Sequence, residues 1–185
     1  MQLGIFSVGS IRQLLILSLI FVSGAMHAAD QTSDSNSETN GEIMGKVEYK
    51  LPDELGTLTF DLPSHWVGAR ADGVEALWID QDATPFKDNV TLKIRAVTKV
   101  SDSEQLLDVY IDKLVNSLEA TPVADVKKTA GHRSISFNNS VSGHELTQQV
   151  SVVYTESTEK SYLIILNHSL LSTGKPLDLS QAAIN

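Results

Sequence analysis

Asn89-Val90-Thr91-Leu92-Lys93-Ile94-Arg95-Ala96-Val97 runs within a few residues into Ser101-Asp102-Ser103-Glu104-Gln105-Leu106-Leu107, and this passage decides the fold. Over 89–97 apolar and polar residues alternate, placing Val90, Leu92, Ile94 and Ala96 on one face of a strand, the face that lies on a core. The period then changes. Leu107, Tyr110 and Ile111, Leu114 and Leu118 recur at helical spacing, while Asp108, Asp112, Lys113 and Glu119 fall largely elsewhere. Ser101 with Glu104 three residues later reads as a capping box. Thr121-Pro122 ends the helix, because the residue before a proline is pushed out of helical geometry.

Strand patterns flank this unit on both sides. Ahead of it, 47–51 and 57–62 alternate across the turn Pro52-Asp53-Glu54-Leu55-Gly56, and 75–80 forms a short strand after the break Pro63-Ser64-His65-Trp66. Behind it come 133–137, 146–154 and 161–167. The last contains Leu163-Ile164-Ile165-Leu166, apolar on both faces and therefore central in a sheet. The tail from Ser180 to Asn185 makes at most one helical turn. Strands before and after one long helix predict an α+β fold with a largely antiparallel sheet and the helix across one of its faces.

The first 29 residues read as an export signal. Arg12 precedes the apolar run 14–22, and small residues follow at Ser23, Gly24, Ala25, Ala28 and Ala29. Nine core residues fall short of the roughly 20 needed to span a bilayer. Cleavage fits best after Ala25, with Ala28 and Ala29 as alternatives. No cysteine stands there to carry a lipid. Residues 30–44 include Asp-Gln-Thr-Ser-Asp-Ser-Asn-Ser-Glu-Thr-Asn-Gly, without one large apolar side chain, and read as a flexible leader. A single domain is expected over 45–185, the size at which one core suffices.

The chain has no cysteine, which excludes disulfides, thiolate metal sites and cysteine nucleophiles. A cysteine-free exported domain suits a bacterial periplasm. Without Arg12 the charge is 13 basic against 23 acidic side chains, or −10. That balance argues against nucleic acid and against an anionic membrane surface as partners.

In order along the chain, Thr57-Leu58-Thr59-Phe60-Asp61-Leu62-Pro63-Ser64-His65-Trp66-Val67, Pro85-Phe86-Lys87-Asp88-Asn89-Val90-Thr91-Leu92, Ala130-Gly131-His132-Arg133 and the strands over 148–154 and 162–166 resemble the PsbP/Mog-like fold, as in bacterial DcrB-type and LpqN-type envelope proteins. The resemblance spans residues 46–170. It implies a curved antiparallel sheet with helices packed on its faces, and work as an accessory or binding protein. The family has no shared catalytic motif, so no catalytic residue carries over. The missing lipobox cysteine departs from the DcrB and LpqN pattern and removes the basis for lipid anchoring.

The residues that would carry chemistry are few. No serine sits in a strained Gly-x-Ser-x-Gly turn, and no glycine loop is built to cradle phosphate. His132 and His144 flank strands near turns and would meet only across a hairpin. Asp80, Asp82 and Asp88 share a loop without the ladder of a calcium site. No cofactor and no metal are expected. His65, Trp66, Trp78 and Phe86 stand out as a candidate aromatic patch for a partner, since tryptophan dominates interface hot spots. The alternative is that these rings plug one end of the core. The expected function is an exported, non-enzymatic binding or accessory protein acting on a protein partner in the envelope, its loops around His65, 84–88 and 138–143 making the contact. The alternative is a carrier of lipid or another small ligand, with a pocket between the sheet and the helix at 104–120.

Overall fold

A computed structural model describes residues 37–39, 42–83, 86–141, 143–171 and 177–185. The segment read as an export signal lies outside them. In chain order the elements are β1 (Ser37–Thr39), β2 (Glu42–Lys50), β3 (Thr57–Pro63), β4 (Val67–Ala69), β5 (Ala76–Ile79), β6 (Asn89–Val97), α1 (Ser103–Leu118), β7 (Thr121–Pro122), β8 (Lys127–Thr129), β9 (His132–Val141), β10 (His144–Glu156), β11 (Ser161–Leu171), a 3-10 turn (Leu179–Gln181) and β12 (Ala183–Ile184). Strand structure thus begins inside 30–44, the stretch read as leader: β1 and the start of β2 lie there.

Among the described residues, two antiparallel sheets and one helix make an α+β fold. The large sheet runs β4-β5-β6-β11-β10-β9-β7, with β8 also on β9; the small sheet runs β1-β2-β3-β12. Strand β11 is central, between β6 and β10, and is buried from Ser161 through Leu170. Its alternation divides the core in two. Leu163 and Ile165 face α1 together with Ile135, Phe137, Val150 and Val152. Tyr162, Ile164 and Leu166 face the small sheet, where Leu58, Phe60 and Leu62 of β3 meet them. The fold is therefore three layers. One face of the large sheet carries the expected helix, and the other carries the small sheet where the resemblance implied a second helical layer.

Helix α1 buries Leu106, Leu107, Tyr110, Ile111 and Leu114, a stripe at helical spacing. Its cap differs from the expected one. Asp102, not Ser101, takes the extended N-cap conformation, and its Oδ1 accepts the Gln105 N–H at 2.9 Å. Glu104 is thereby freed for the sheet: Oε1 accepts the Gly131 N–H at 2.7 Å, and Oε2 pairs with Arg133 at 2.6 Å. Asp108 meets the same guanidinium at 2.6 Å and Lys128 at 3.0 Å. Hydrogen bonds to Gly131 and Arg133 hold the Glu104 carboxyl below its ordinary range, and those to Arg133 and Lys128 do the same for Asp108. A nearly buried arginine thus ties the first turns of the helix to β8 and β9. Asp102→Ala is expected to cost about 1 kcal/mol, the usual worth of an N-cap, and Ser101→Ala close to nothing. Thermal melts of the two variants check this; a larger loss for Ser101→Ala would move the cap back by one residue.

Between β2 and β3 the Leu55 N–H reaches the Pro52 carbonyl at 3.1 Å, with Asp53 and Glu54 both at positive φ. Gly56 follows at φ +97°, and a Cβ there would lie 2.2 Å from the Asn185 carbonyl oxygen. That close approach lets the tail pair with β3, through Thr57 N–H to Asn185 O at 2.8 Å and the return bond at 3.0 Å. The tail was expected to form at most a helical turn; it adds a sheet strand as well.

Candidate functional site

The ends of β5, β9 and β11 and the starts of β6 and β10 gather at one end of the large sheet, joined there by the β3–β4 turn. This end holds all four residues singled out from the sequence, and the structure separates them. Trp66 and Trp78 are each only 6 % exposed and Phe86 8 %. Trp78 points inward with the alternation of β5 and meets Phe60 edge-on at 5.2 Å and Tyr49 at 6.4 Å. Trp66 folds back through its N–H to the Pro63 carbonyl at 3.0 Å, and its ring lies 5.9 Å from that of His168. Phe86 lies beside His144 at 6.5 Å. Of the two readings of these rings, their burial fits the plug at one end of the core, with Trp66 and Trp78 packed in the layer between the two sheets. Only the His65 side chain, 42 % exposed, faces solvent; its Nε2 is 3.5 Å from Asp80 Oδ1.

Around His65 the loop after β5 is self-bonded. Asp80 Oδ1 accepts the N–H groups of Asp82 at 2.9 Å and Ala83 at 3.2 Å, and the Asp80 N–H reaches the Asp88 carbonyl at 2.9 Å. Lys87 Nζ bonds the Gln81 carbonyl. Burial pushes the Asp88 carboxyl up to about 6, opposed by a hydrogen bond from the Leu171 backbone and helped by the charge of Asp80. Asp80 is thus the turn-builder among the three aspartates. Among the described residues no group of three His, Asp or Glu side chains could hold a metal ion. Thr84, Pro85 and Ser142, in the loops expected to make the partner contact, lie outside the described residues.

Beneath this end, residues 45–47 of β2, Leu62, Ser64 and the two indoles line a cleft of about 170 Å³. His168 stands beside it, 1 % exposed, with Nδ1 accepting the Leu177 N–H at 3.3 Å. Burial alone pushes its pKa down to about 4, so at neutral pH the ring is uncharged. Gln149 Oε1 accepts the Leu179 N–H at 3.4 Å, a further bond holding the returning tail.

His132 and His144 do not meet. In the β9–β10 hairpin His144 pairs with Val141 and His132 with Val153, at opposite ends. His132 Nε2 instead lies 2.7 Å from Ser151 Oγ, with burial, and then the nearby Arg133 charge, holding its pKa below the ordinary value. That is a serine–histidine hydrogen bond, but Ser151 is 1 % exposed in mid-strand between β9 and β11, where no carbonyl of a substrate can approach its Oγ. The pair satisfies two polar groups inside the sheet. The sequence showed His168 only as one of several scattered histidines, with no role of its own. Its signal was present: Asn167-His168-Ser169 interrupts a strand that is otherwise apolar on both faces.

No protein-family model matches the chain, and no curated protein matches it in sequence. Its structure is similar to that of LpqN, a protein involved in cell envelope biogenesis of Mycobacterium tuberculosis, with a TM-score of 0.51 over 70 % of this chain and 80 % of that one. Sequence identity is 12 %, so the likeness is one of fold. Among the described residues no helix is long and apolar enough to cross a membrane.

Proposed function

We propose that this chain is an exported accessory protein of the bacterial cell envelope, of PsbP/Mog-like fold, which works in the periplasm by binding a protein partner and not by catalysis. The observation that carries the reading is the fold likeness to LpqN, an envelope-biogenesis protein. The arrangement of the loops supports it: turns after β3, β5 and β9 converge at one end of a rigid sheet, the usual placement of binding residues. The carrier alternative placed a pocket between the sheet and the helix. Leu107, Tyr110, Ile111 and Leu114, none more than 2 % exposed, fill that space, which favours partner binding.

A photo-crosslinking side chain replacing the exposed His65 tests the reading in the native envelope. The expected result is one discrete adduct from that position and none from the same probe at Asp112, exposed on the outer face of α1. Equal labelling from both positions, or from neither, overturns the loop end as the partner surface.

A further inference from the structure

Gly45 sits where a strand would ordinarily place an apolar side chain. In β2, Val47 and Tyr49 pack toward the large sheet, and Gly45 continues that inward row opposite the buried Leu62. A glycine in mid-strand weakens the strand and commonly marks a bulge, a strained backbone or a close approach. None of the three applies. The register from Met44 to Lys50 runs without a break. Gly45 is not among the positive-φ glycines. A Cβ built on it meets nothing nearer than Ser64 Cα at 3.7 Å, an ordinary contact. What the missing side chain leaves is the cleft of about 170 Å³ walled by Trp66 and Trp78.

We propose that this cleft is a binding site for a small uncharged apolar group, a single aromatic ring or a branched alkyl moiety, kept open by Gly45. The size decides the class. Drug-sized ligands need roughly 300–1,000 Å³, whereas apolar cavities of about 150 Å³ take up benzene. The chemistry of the walls decides the charge. Two indoles, Val47, Leu62 and Pro63 form their apolar part, Ser64 and the backbone around Gly45 add an uncharged polar part, and the one charged side chain at the rim, Lys46, is paired with Glu48 at 3.2 Å. Edge-to-face contacts with Phe60, Tyr49 and His168 hold both indoles in place, so the walls are preorganised. The site stands apart from the partner reading above, since the His65 adduct does not depend on whether the cleft is filled.

The protein carries its own reporter, because Trp66 and Trp78 are the only tryptophans in the chain. Bromobenzene, a heavy-atom quencher of the right size, is titrated against tryptophan emission. The wild-type protein is expected to show saturable quenching and a melting temperature that rises with bromobenzene concentration. Gly45→Leu, which fills the cleft with a side chain, is expected to weaken the saturable phase by about tenfold or more while melting at or above the wild-type temperature. Gly45→Ala, which adds a methyl without a clash, is expected to weaken it several-fold and serves if the leucine variant does not fold. Linear, unsaturable quenching of the wild type, or unchanged affinity in the glycine variants, overturns the proposal.

Discussion

Leu114→Asp is expected to lower the stability of the domain by about 4 kcal/mol or more, enough to leave much of it unfolded at ambient temperature. Leu114 is 1 % exposed and sits in the layer that α1 shares with Ile135, Phe137, Val150 and Val152. A carboxylate there loses its water and gains no partner. Glu104, Asp108, Lys128 and Arg133 are gathered at the start of the helix and already engage one another, and the Arg95 charge is directed at Tyr110. Burying an unpaired charge costs far more than removing methyl groups, so the protein would unfold or force the side chain to protonate. Urea titration measures the loss, with Asp112→Asn on the exposed face as the control that should stay within about 0.5 kcal/mol of wild type. A Leu114→Asp protein as stable as that control would mean that the helix does not cover the sheet.

The second large effect is acid lability centred on His168. Its folded pKa of about 4 lies below the unfolded value near 6.5. The folded state therefore rejects the proton that the unfolded chain accepts. The stabilisation is fully present above pH 6.5 and is lost as pH falls toward 4. At 1.36 kcal/mol per pKa unit the loss is on the order of 3 kcal/mol. His132, also held below its ordinary value, acts in the same direction. Asp88 acts in the opposite one: its carboxyl is raised to about 6, so its contribution is present below the unfolded value and disappears as pH rises through 6. A bare wild-type profile thus mixes these with the lowered carboxyls, Glu104 and Asp108 among them, which lose their contribution at still lower pH. His168→Asn separates them, because an amide oxygen can still accept the Leu177 N–H while the titrating ring is gone. The variant is expected to be less stable at neutral pH, having lost the ring against Trp66, and to lose less on acidification, so that the two curves converge near pH 4. Parallel curves would show that His168 is not the group responsible.

Periodicity was a reliable guide wherever an element is long and its faces differ in polarity. Alternation located β6, β9, β10 and β11, and the run 163–166 placed β11 at the centre of the sheet. Period and spacing likewise located α1. The cap was misplaced by one residue because Ser101 and Asp102 both suit it, and the choice depends on Glu104 being taken by Arg133 across a long loop. The small sheet as a separate layer was not legible: its strands look like any others, and only the three-dimensional path places them opposite β11. The aromatic residues illustrate the same limit. Proximity to turns left Trp66 and Phe86 open to either reading, because the rings beside them, His168 and His144, come from strands far along the chain. Gly45 was passed over because a lone glycine is informative only once the strand register shows that its missing side chain would have pointed inward.

The pairing of β12 with β3 has a consequence for how the chain acquires its structure. Ala183 and Thr59 are 124 residues apart in sequence, so the contact closes almost the largest loop the domain contains. Closing a loop of that length carries an entropic cost on the order of 4 kcal/mol, and local contacts must form before such a pairing is rewarded. The β9–β10–β11 meander and α1 need no such closure and can assemble among themselves. The outer edge of β3 stays open until the tail arrives, as does the approach to His168 that Leu177 closes. With residues 177–185 made after the rest, the domain would pass through a stage with the large sheet formed and that edge bare, the stage at which its backbone is most available for mispairing with another chain.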